Sequence, residues 1–357
     1  MDKRLVIKVG SNVLTRSDGK LDVTRMSALV DQLAQLRGMG YGIILVSSGA
    51  VASGRGEITP DRKLDSVGQR QLYSAVGQAK LINTYYALFR EYKIAVGQVL
   101  TMKESFASRR EYLNQRACMT VMLDNGVVPI VNENDTVSVT ELMFTDNDEL
   151  SGLVASMMDA ETLVILSDVD GIYDGRPGDA SARLITRVEH GTDISGCIRR
   201  EKSSLGRGGM TAKCNIARKV ADEGIRVIIA NGRRDGILTS LVTKPQDTPH
   251  TEFVPASKPA SNVRKWIAHS VSFTKGTIRV NDKAAEALRS DKAASLLPVG
   301  VTAVEGDFGE GDLIDIVDGN GRKIAVGRSA YGSEEARACA GKHGIRPLVR
   351  YEYMYME

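Results

Sequence analysis

Residues 5–11 read Leu-Val-Ile-Lys-Val-Gly-Ser, an apolar run that contains one lysine, Lys8, and ends at a glycine. Branched apolar residues in so short a run predict a strand that is buried on both faces. A lysine inside such a strand is costly unless an anion or a carboxylate meets it, although a lysine near a strand end can also snorkel to solvent. Gly10 favours the interpretation that Lys8 meets an anion, because a glycine lets a ligand approach the backbone.

Similar apolar runs recur along the chain and alternate with helical patterns. The predicted strands after the first cover 43–46, 94–100, 127–131, 162–166 and 226–230. The predicted helices cover 29–36, 69–90, 111–124, 147–158 and 211–223. Pro129 is a mild argument against the centre of the fourth strand. Strands that alternate with helices predict an α/β fold, in which helices cover both faces of a parallel-rich sheet.

The last third of the chain has a different texture. Four of the nine prolines lie between residues 245 and 259, which predicts irregular structure leading to a domain boundary. Beyond it, short alternating runs at 277–280, 313–317 and 323–326, with one helix near 283–290, predict a small β-rich domain. The predicted organisation is an α/β domain over 1–258, a linker over 259–274 and a β-rich domain over 275–357.

Composition excludes several classes of protein. The 357 residues are 42% hydrophobic and 25% charged, which is typical of a soluble globular protein, and the net charge of +3 argues neither for nor against an anionic partner. The four cysteines form no CxxC pair, so a disulfide framework or a zinc site is not expected and a reduced, cytoplasmic setting is. The apolar run at the N-terminus is too short for a signal peptide or a membrane span.

Candidate site residues follow the predicted strands, because ligands of open parallel sheets bind beyond the carboxyl ends of the strands. Residues 47–50 read Ser-Ser-Gly-Ala and can form an anion site from free backbone N–H groups, or an ordinary serine N-cap. Residues 132–135 read Asn-Glu-Asn-Asp, and residues 145–149 read Thr-Asp-Asn-Asp-Glu. These two clusters suit an ammonium group, an amino acid or hydrated magnesium, although such residues more often serve turns and caps.

Two further segments suggest phosphate binding. Ser167 and Asp168 follow the fifth predicted strand, and a glycine loop over 206–213, which ends with Lys213, runs into the helix predicted over 211–223. The loop can surround phosphates with its N–H groups, but its spacing fits neither a Walker A motif nor a dinucleotide fingerprint, and a surface loop is the alternative. Two lysines, several carboxylates and two glycine-rich anion sites at one sheet edge together predict phosphoryl transfer.

The ordered motifs resemble those of the glutamate 5-kinase family. The resemblance runs from residue 4 to about residue 255, an amino acid kinase domain, and is carried by residues 8–11, 47–50, 132–135, 144–148, 167–173 and 208–213. Residues 275 to about 352 resemble a PUA domain, through 295–300, 306–308 and 311–312. Thr145 departs from the family pattern, which has a glycine there.

The resemblance implies roles for the matching residues. Lys8 and Lys213 are expected to stabilise the transferring phosphoryl group, with Asp148 holding both lysines in place. Ser48, Asp135, Asn147 and Asp146 are expected to bind glutamate. The residues expected to bind ATP are Lys8, Ser167, Asp168, Arg207, Gly208, Gly209, Met210, Thr211, Ala212 and Lys213.

The resemblance also implies the reaction and its partners. ATP, with Mg²⁺ bridging its phosphates, would phosphorylate the γ-carboxylate of L-glutamate in the first step of proline biosynthesis. The family further implies a homo-dimer or homo-tetramer, proline inhibition and channelling to glutamyl phosphate reductase. Two alternatives remain open: an amino acid kinase with another acceptor, such as aspartate, acetylglutamate or a nucleoside monophosphate, and an RNA-binding protein that acts through the PUA domain.

Overall fold

The computed structural model describes residues 3–137, 144, 146–175, 179, 181–192, 194, 209–257, 261–270, 273–290 and 293–356. The chain divides into two compact units. The first contains Met1–Lys103 and Leu113–Pro259, and the second contains Glu104–Tyr112 and Ala260–Glu357. The second unit therefore includes a short segment from within the predicted α/β domain. The predicted boundaries at 258 and 275 stay a prediction.

The first unit is built on strands that alternate with helices, as predicted. Its strands are β1 (Arg4–Val9), β2 (Gly42–Ser47), β3 (Val96–Thr101), β4 (Val128–Glu133), β5 (Thr162–Ser167), β6 (Ile172–Tyr173), β7 (Leu184–Ile185), β8 (Arg187–Val188), β9 (Arg226–Asn231) and β10 (His250–Phe253). The helices up to residue 243 are α1 (Ser11–Leu14), α2 (Val23–Gly38), α3 (Ala50–Arg55), α4 (Ser66–Arg90), α5 (Glu104–Ala107), α6 (Arg109–Asp124), α7 (Asn147–Met157), α8 (Met210–Asp222) and α9 (Ile237–Thr243). Across the described residues, no helix combines the length and apolar character needed to cross a membrane.

The sheet confirms the parallel arrangement predicted for the first five strands and for β9. The strand order is β3-β4-β2-β1-β5-β9-β10-β8, and the six strands from β3 to β9 in this order are parallel. β10, which the sequence did not predict, runs antiparallel to β9. The register pairs Val9 with Ser47 and with Leu166, and Ser167 with Asn231, so these strands end at one edge of the sheet.

Pro129 lies inside β4 without breaking it. Its neighbour Val128 donates its N–H to Ala95 O, on the side of β3. Since successive residues of a strand point their N–H groups to opposite sides, the proline ring faces β2. β2 pairs with β4 at Ile130 and Val131, beyond the proline. The backbone N–H group that Pro129 lacks would therefore point toward β2, at a position where β4 does not yet pair with β2.

Helix α4 lies against α3 and buries one face in the core beneath the sheet. Leu81, Tyr85 and Phe89 on this face belong to the cluster formed with β1, β2 and α2. The close approach of α3 requires a glycine at position 77, because a Cβ there would lie 1.8 Å from the Ala50 carbonyl oxygen. This packing fixes the position of α4 relative to the carboxyl ends of β2 and β4.

The second unit is the predicted β-rich part of the chain. Its elements after α5 are α10 (Asn262–His269), β11 (Gly276–Val280), α11 (Asp282–Arg289), β12 (Val301–Gly306), β13 (Leu313–Val317), β14 (Lys323–Arg328), α12 (Ser333–Cys339) and β15 (Met354–Met356). The strands form one sheet in the order β12-β11-β13-β14-β15. The strands predicted at 277–280, 313–317 and 323–326 and the helix near 283–290 are confirmed. β12, β15, α10 and α12 were not predicted.

Trp266 explains why Glu104–Tyr112 belongs to the second unit. Its side chain on α10 is buried, and the indole Nε1 donates to Phe106 O at 2.7 Å. The Arg109 guanidinium lies 5.5 Å from the Trp266 ring and 5.1 Å from the Tyr112 ring. An aromatic and cationic cluster of this kind is stable when buried, so the segment packs as part of this unit.

Candidate active site

Lys8, Asp148 and Lys213 meet at the carboxyl end of β1 and are called the two-lysine cluster here. Lys8 Nζ lies 2.6 Å from Asp148 Oδ1, and Lys213 Nζ lies 2.9 Å from Asp148 Oδ2. Asp148 is 1% exposed and the lysine side chains are 6% and 12% exposed. The strand thus contains a buried lysine that a carboxylate meets, the first of the two interpretations that its sequence allowed. Two ammonium groups and one carboxylate leave one excess positive charge.

The ionisation of the cluster follows from its burial and its contacts. Burial alone would raise the pKa of Asp148, but the charges and hydrogen bonds of Lys8 and Lys213 outweigh it and the pKa is lowered. For Lys213, burial would lower the pKa, but the charge and hydrogen bond of Asp148 outweigh it and the pKa is raised. Asp148 and Lys213 are therefore ionised at neutral pH.

Asp146 caps the helix that carries Asp148. Its Oδ1 accepts hydrogen bonds from the N–H groups of Asp148 at 2.9 Å and Glu149 at 3.0 Å, the usual bonds of an aspartate N-cap. Burial, followed by the charge of Asp148, raises its pKa. Its Oδ2 is buried and has no hydrogen-bond partner among the described residues. This oxygen is available to a ligand.

Close packing of α7 and α8 brings Asp148 and Lys213 together. Gly152 lies one turn after Asp148, and a Cβ at this position would lie 2.8 Å from Ile216 Cγ2 and 3.1 Å from a methyl carbon of Val220. A side chain at 152 would therefore push the two helices apart. The glycine keeps the first turn of α8, with Lys213, within reach of Asp148.

Asn147 connects the ends of three elements. Its Nδ2 donates to Ser48 Oγ at 2.9 Å and to Asn132 Oδ1 at 3.0 Å, and lies 3.4 Å from Ser47 O. Asn132 in turn donates from its Nδ2 to Gln78 Oε1 at 2.9 Å. The structure thus brings together Ser48 and Asn147, two of the residues that the resemblance assigns to glutamate.

Asp135 belongs to a second group of charges, called the arginine cluster here, with Arg70 and Glu133. Arg70 Nε donates to Asp135 Oδ1 at 2.8 Å, and Arg70 Nη2 donates to the same oxygen and to Glu133 Oε2 at 2.9 Å. Glu133 Oε1 accepts the Phe144 N–H at 3.0 Å. Counted over these three side chains alone, one guanidinium and two carboxylates leave one excess negative charge.

Helix α4 supplies three site contacts that sequence reasoning missed. Arg70 contacts the residues after β4, Gln78 contacts Asn132, and the Tyr85 hydroxyl lies 2.9 Å from Ser47 Oγ. Burial raises the pKa of Tyr85 to about 12, so its hydroxyl stays protonated. At 100° per residue the three side chains lie within about 80° of one another on the helix. Polar residues on the buried face of α4 were the available signal.

The predicted nucleotide residues that the structure describes lie at the carboxyl end of β5 and at the start of α8. Asp168 Oδ2 accepts from Asn12 Nδ2 at 2.8 Å, and Asp168 Oδ1 accepts from Ser167 Oγ at 3.2 Å. Asn12 was not predicted, although it follows the glycine turn after β1, and its Oδ1 is buried without a hydrogen-bond partner in the described part of the chain.

Gly209 is the N-cap of α8, so the residues Met210, Thr211 and Ala212 form its first turn. The N–H groups of a first helical turn lack partners within the helix and attract anions. Arg207, Gly208 and Thr145 lie outside the described residues.

The comparisons with known proteins agree with this architecture. The amino acid kinase family matches residues 3–231, and the PUA domain matches residues 276–348. A glutamate 5-kinase from Bacteroides thetaiotaomicron is 63% identical over 354 residues, which cover 99% of this chain and 98% of that protein. A glutamate 5-kinase from Chlorobaculum tepidum is 44% identical over 360 residues, covering 99% and 97%.

A solved structure shares the fold. A carbamate kinase from Giardia lamblia bound to AMP-PNP superposes with a TM-score of 0.51 at 16% identity, covering 71% of this chain and 99% of that one. Together with the family matches, this confirms the predicted amino acid kinase fold followed by a PUA domain. The chain belongs to the amino acid kinase family, and within it to the glutamate 5-kinases.

Proposed function

We propose that this chain transfers the γ-phosphoryl group of ATP to the γ-carboxylate of L-glutamate, which gives L-glutamyl 5-phosphate in the first step of proline biosynthesis. Full-length similarity to glutamate 5-kinases supports an ATP-dependent kinase that acts on a carboxyl group. The single observation that carries the proposal is the two-lysine cluster, because its excess positive charge lies buried where the strands of a parallel sheet end.

The chemistry needs charge and position more than a base. The γ-carboxylate of glutamate is ionised at neutral pH, so it can attack the γ-phosphorus without losing a proton. Lys8 and Lys213 would donate hydrogen bonds to the oxygens of the transferring phosphoryl group. Asp148 would hold both ammonium groups in place, since it contacts each lysine through a different oxygen. Donors fixed in place before the reaction stabilise the transition state without reorganising.

The acceptor side is assigned to the residues after β2 and β4 and at the start of α7. Ser48 and Asn147 are already joined by a hydrogen bond and would contact the γ-carboxylate end of glutamate. Asp135 would receive the ammonium group, since the arginine cluster has an excess negative charge. Asp146, whose Oδ2 has no hydrogen-bond partner among the described residues, would line the same space.

The nucleotide side is assigned to the residues at the carboxyl end of β5 and to the start of α8. Ser167 and Asp168 would line the nucleotide, and the N–H groups of the first turn of α8 would face its phosphates. Arg207 and Gly208 are assigned to the same role by the family resemblance alone. Lys213 would link the phosphates to the two-lysine cluster.

Magnesium fits the residues present. Carboxylate oxygens are the ligands that Mg²⁺ prefers, and in kinases one or two of them act together with phosphates and water. The exposed Asp168 carboxylate supplies such oxygens, and so does the buried Asp146 Oδ2, which has no hydrogen-bond partner within the described ranges. The phosphates of ATP and water would supply most of the ligands of the ion, and these carboxylates would contact it directly or through water. The ion would neutralise charge on the phosphates.

The product constrains the setting of the enzyme. An acyl phosphate is reactive, so a reductase that consumes it is expected to act nearby, and channelling to glutamyl phosphate reductase is part of the proposal. A cytoplasmic location and a homo-dimer or homo-tetramer are proposed from the family. RNA binding by the PUA domain is a separate hypothesis, which a gel shift with cellular RNA at physiological salt would test.

A steady-state assay of ADP release with ATP and magnesium tests the proposal. The acceptors are L-glutamate, L-aspartate, N-acetylglutamate and UMP, and hydroxylamine is added to trap an acyl phosphate as its hydroxamate. We expect ADP release and hydroxamate with L-glutamate. Activity with another acceptor would keep the kinase assignment and overturn the substrate, and no activity with any acceptor would overturn the proposed reaction.

A further inference from the structure

Arg70 stands out because no part of the proposed reaction uses it, although it contacts a proposed substrate-binding residue. We infer that Arg70 recognises the α-carboxylate of the acceptor, and that Arg70 and Asp135 together select an α-amino acid head group. The inference rests on the proposed function, since it concerns the same acceptor. It adds a specificity-determining residue on α4.

The burial of the arginine cluster separates its two carboxylates. Glu133 is 4% exposed and accepts the Phe144 N–H at 3.0 Å, so it serves the backbone that leads to α7. Asp135 and Arg70 are 10% and 19% exposed and form the more open part of the cluster. Their two charges have opposite signs and lie in direct contact. An amino acid head group also presents two opposite charges side by side.

The sheet order places this pair at a suitable distance from the two-lysine cluster. Asp135 follows β4, and β4 is separated from β1 by β2 alone. Two strand spacings amount to about 10 Å. Ser48 and Asn147 lie after the intervening strand and on α7, bonded to each other and to Asn132 of β4. The strand ends therefore give a line from the phosphoryl group, through the γ-carboxylate, to the head group.

Binding would exchange the Arg70–Asp135 ion pair for two ion pairs with the substrate. The ammonium group of the substrate would take Asp135 as its partner, and the α-carboxylate would take the Arg70 guanidinium, which also keeps Glu133. A guanidinium suits this role, because its planar donors match a carboxylate bidentately. In the free enzyme each residue of the pair would stand in for one substrate charge. Arg70 would occupy Asp135 in place of the ammonium group, and Asp135 would occupy Arg70 in place of the α-carboxylate.

A structural role for Arg70 is the competing explanation. In that case Arg70 would only hold Asp135 and Glu133 in place, and its loss would weaken every acceptor equally. The two roles differ for analogues of glutamate that lack one charge. 4-Aminobutanoate has the ammonium group and no α-carboxylate, whereas glutarate has two carboxylates and no ammonium group. Both retain the carboxylate that would be phosphorylated.

The test compares kcat and KM of the full chain for L-glutamate, 4-aminobutanoate and glutarate, followed by ADP release at fixed ATP. The variants are Arg70→Gln and Asp135→Asn. Lys80→Gln is the control, because Lys80 is a half-exposed lysine on the same helix that pairs with Glu57. Arg70→Lys is added as a variant that keeps the charge but loses the bidentate geometry. Thermal unfolding of each variant checks the fold.

For Arg70→Gln we expect kcat/KM for L-glutamate to fall roughly 10²- to 10³-fold, mostly through KM, as for the loss of one partner of a buried charge pair. The value for 4-aminobutanoate should change by less than about threefold, because this acceptor has nothing for Arg70 to bind. Asp135→Asn should lower the values for L-glutamate and 4-aminobutanoate and spare glutarate. Arg70→Lys should show a smaller loss, again for acceptors with an α-carboxylate.

An equal loss for L-glutamate and 4-aminobutanoate in Arg70→Gln or Arg70→Lys would overturn the inference and make Arg70 structural. Because Arg70→Lys keeps the charge, it supplies the same comparison if the glutamine variant does not fold. The wild-type chain separates this inference from the proposed function. If it releases no ADP with L-glutamate, the proposed function fails. If it does, and the acceptors fall alike in the variants, the role of Arg70 alone is wrong.

Discussion

The two-lysine cluster and the arginine cluster are built alike and charged oppositely. Each contains three ionised side chains joined by short contacts at the carboxyl edge of the sheet. The first has two cations and one carboxylate, and the second has one cation and two carboxylates. Counted over these side chains alone, each cluster is therefore one charge short of neutrality. A phosphoryl group would neutralise the first and an ammonium group the second. The positive cluster would therefore bind the anionic group of the reactants and the negative cluster the cationic group.

The clusters also differ in which part of a helix supplies their charged side chains. Asp148 and Lys213 come from the first turns of α7 and α8, which the sequence places directly after a polar cluster and a glycine loop. Arg70 comes from α4, a helix of 25 residues whose buried face also enters the hydrophobic core. The first cluster depends on the position of helix ends, and the second depends on the rotation of one helix.

Replacing Asp148 should have the largest effect. Asp148→Asn leaves Lys8 and Lys213 buried without their shared carboxylate, so we expect the free energy of unfolding to fall by about 3–5 kcal/mol and turnover to be lost. Denaturant unfolding and the ADP assay measure both. The control is Glu149→Gln on the same turn, whose partner Lys103 lies 3.2 Å away in a more exposed pair, with an expected loss below about 1 kcal/mol. Equal losses would show that burial of the first pair is irrelevant.

The stability that Asp148 contributes should depend on pH in a specific direction. Its pKa is lowered in the folded chain, so its contribution is present above the ordinary carboxyl value and is lost as pH falls through the lowered one. Lys213 has a raised pKa, so its contribution is lost only as pH rises through that value.

The difference in unfolding free energy between wild type and Asp148→Asn should therefore be constant from about pH 5 to 9 and shrink below about pH 4. Urea unfolding at a series of pH values measures this difference. If it disappears near pH 6, the pKa of Asp148 is not lowered.

Removing one lysine should damage turnover and spare the fold. In Lys8→Ala and in Lys213→Ala the remaining lysine still neutralises Asp148, but one donor to the phosphoryl group is missing. We expect kcat to fall roughly 10²- to 10³-fold with a normal circular dichroism spectrum. Lys80→Gln, away from both clusters, should retain full activity. Near-normal turnover in either lysine variant would remove that residue from the mechanism.

Replacing Asp135 should act on one substrate only. In Asp135→Ala, Arg70 keeps Glu133 as its partner, so the fold should be retained, while the ammonium group of the acceptor loses its counterion. We expect KM for L-glutamate to rise roughly 10- to 100-fold and KM for ATP to stay unchanged. Initial rates over both substrate concentrations measure this. An effect confined to ATP would place Asp135 on the nucleotide side and contradict the assignment of the arginine cluster to the ammonium group of the acceptor.

Asp146→Asn should have the smallest effect on stability, and in the opposite direction to Asp148→Asn. Burial and the charge of Asp148 raise the pKa of Asp146, so the ionised form of Asp146 costs more free energy in the folded chain than in the unfolded one. Asparagine is an equally good N-cap and has no charge, so the free energy of unfolding should rise by up to about 1 kcal/mol while turnover falls. The control is Asp22→Asn at the cap of α2, which should change little. A fall above 1 kcal/mol would mean that the charge of Asp146 stabilises α7.

The sequence predicted the two-lysine cluster better than the arginine cluster, for a physical reason. Lys8, Asp148 and Lys213 lie beside strand ends or in the first turn of a helix, and parallel strands bring those positions to one edge whatever the details of packing. Arg70, Gln78 and Tyr85 lie within a helix, and their contacts depend on which face of α4 meets the sheet. The local sequence does not show which face of α4 meets the sheet. Polar residues on the face that is otherwise apolar were the one indication of these contacts.

The fold shows the same division. The alternating strands and helices up to β9 were predicted because each has its own periodic pattern. β10 has four residues and gains its place by pairing with β9. The segment Glu104–Tyr112 belongs to the second unit through the buried indole of Trp266, more than 150 residues later. Such contacts join distant parts of the chain and leave no local periodicity.

Gly152 has a consequence for how this sequence can change. The residue contacts no proposed ligand, yet its missing side chain sets the separation of α7 and α8. A larger residue there would need smaller ones at Ile216 and Val220 to keep Lys213 near Asp148. We therefore expect these three positions to change together, because their combined volume sets the spacing of α7 and α8. One added methyl group in this interior could cost as much activity as the loss of a charged side chain in the site.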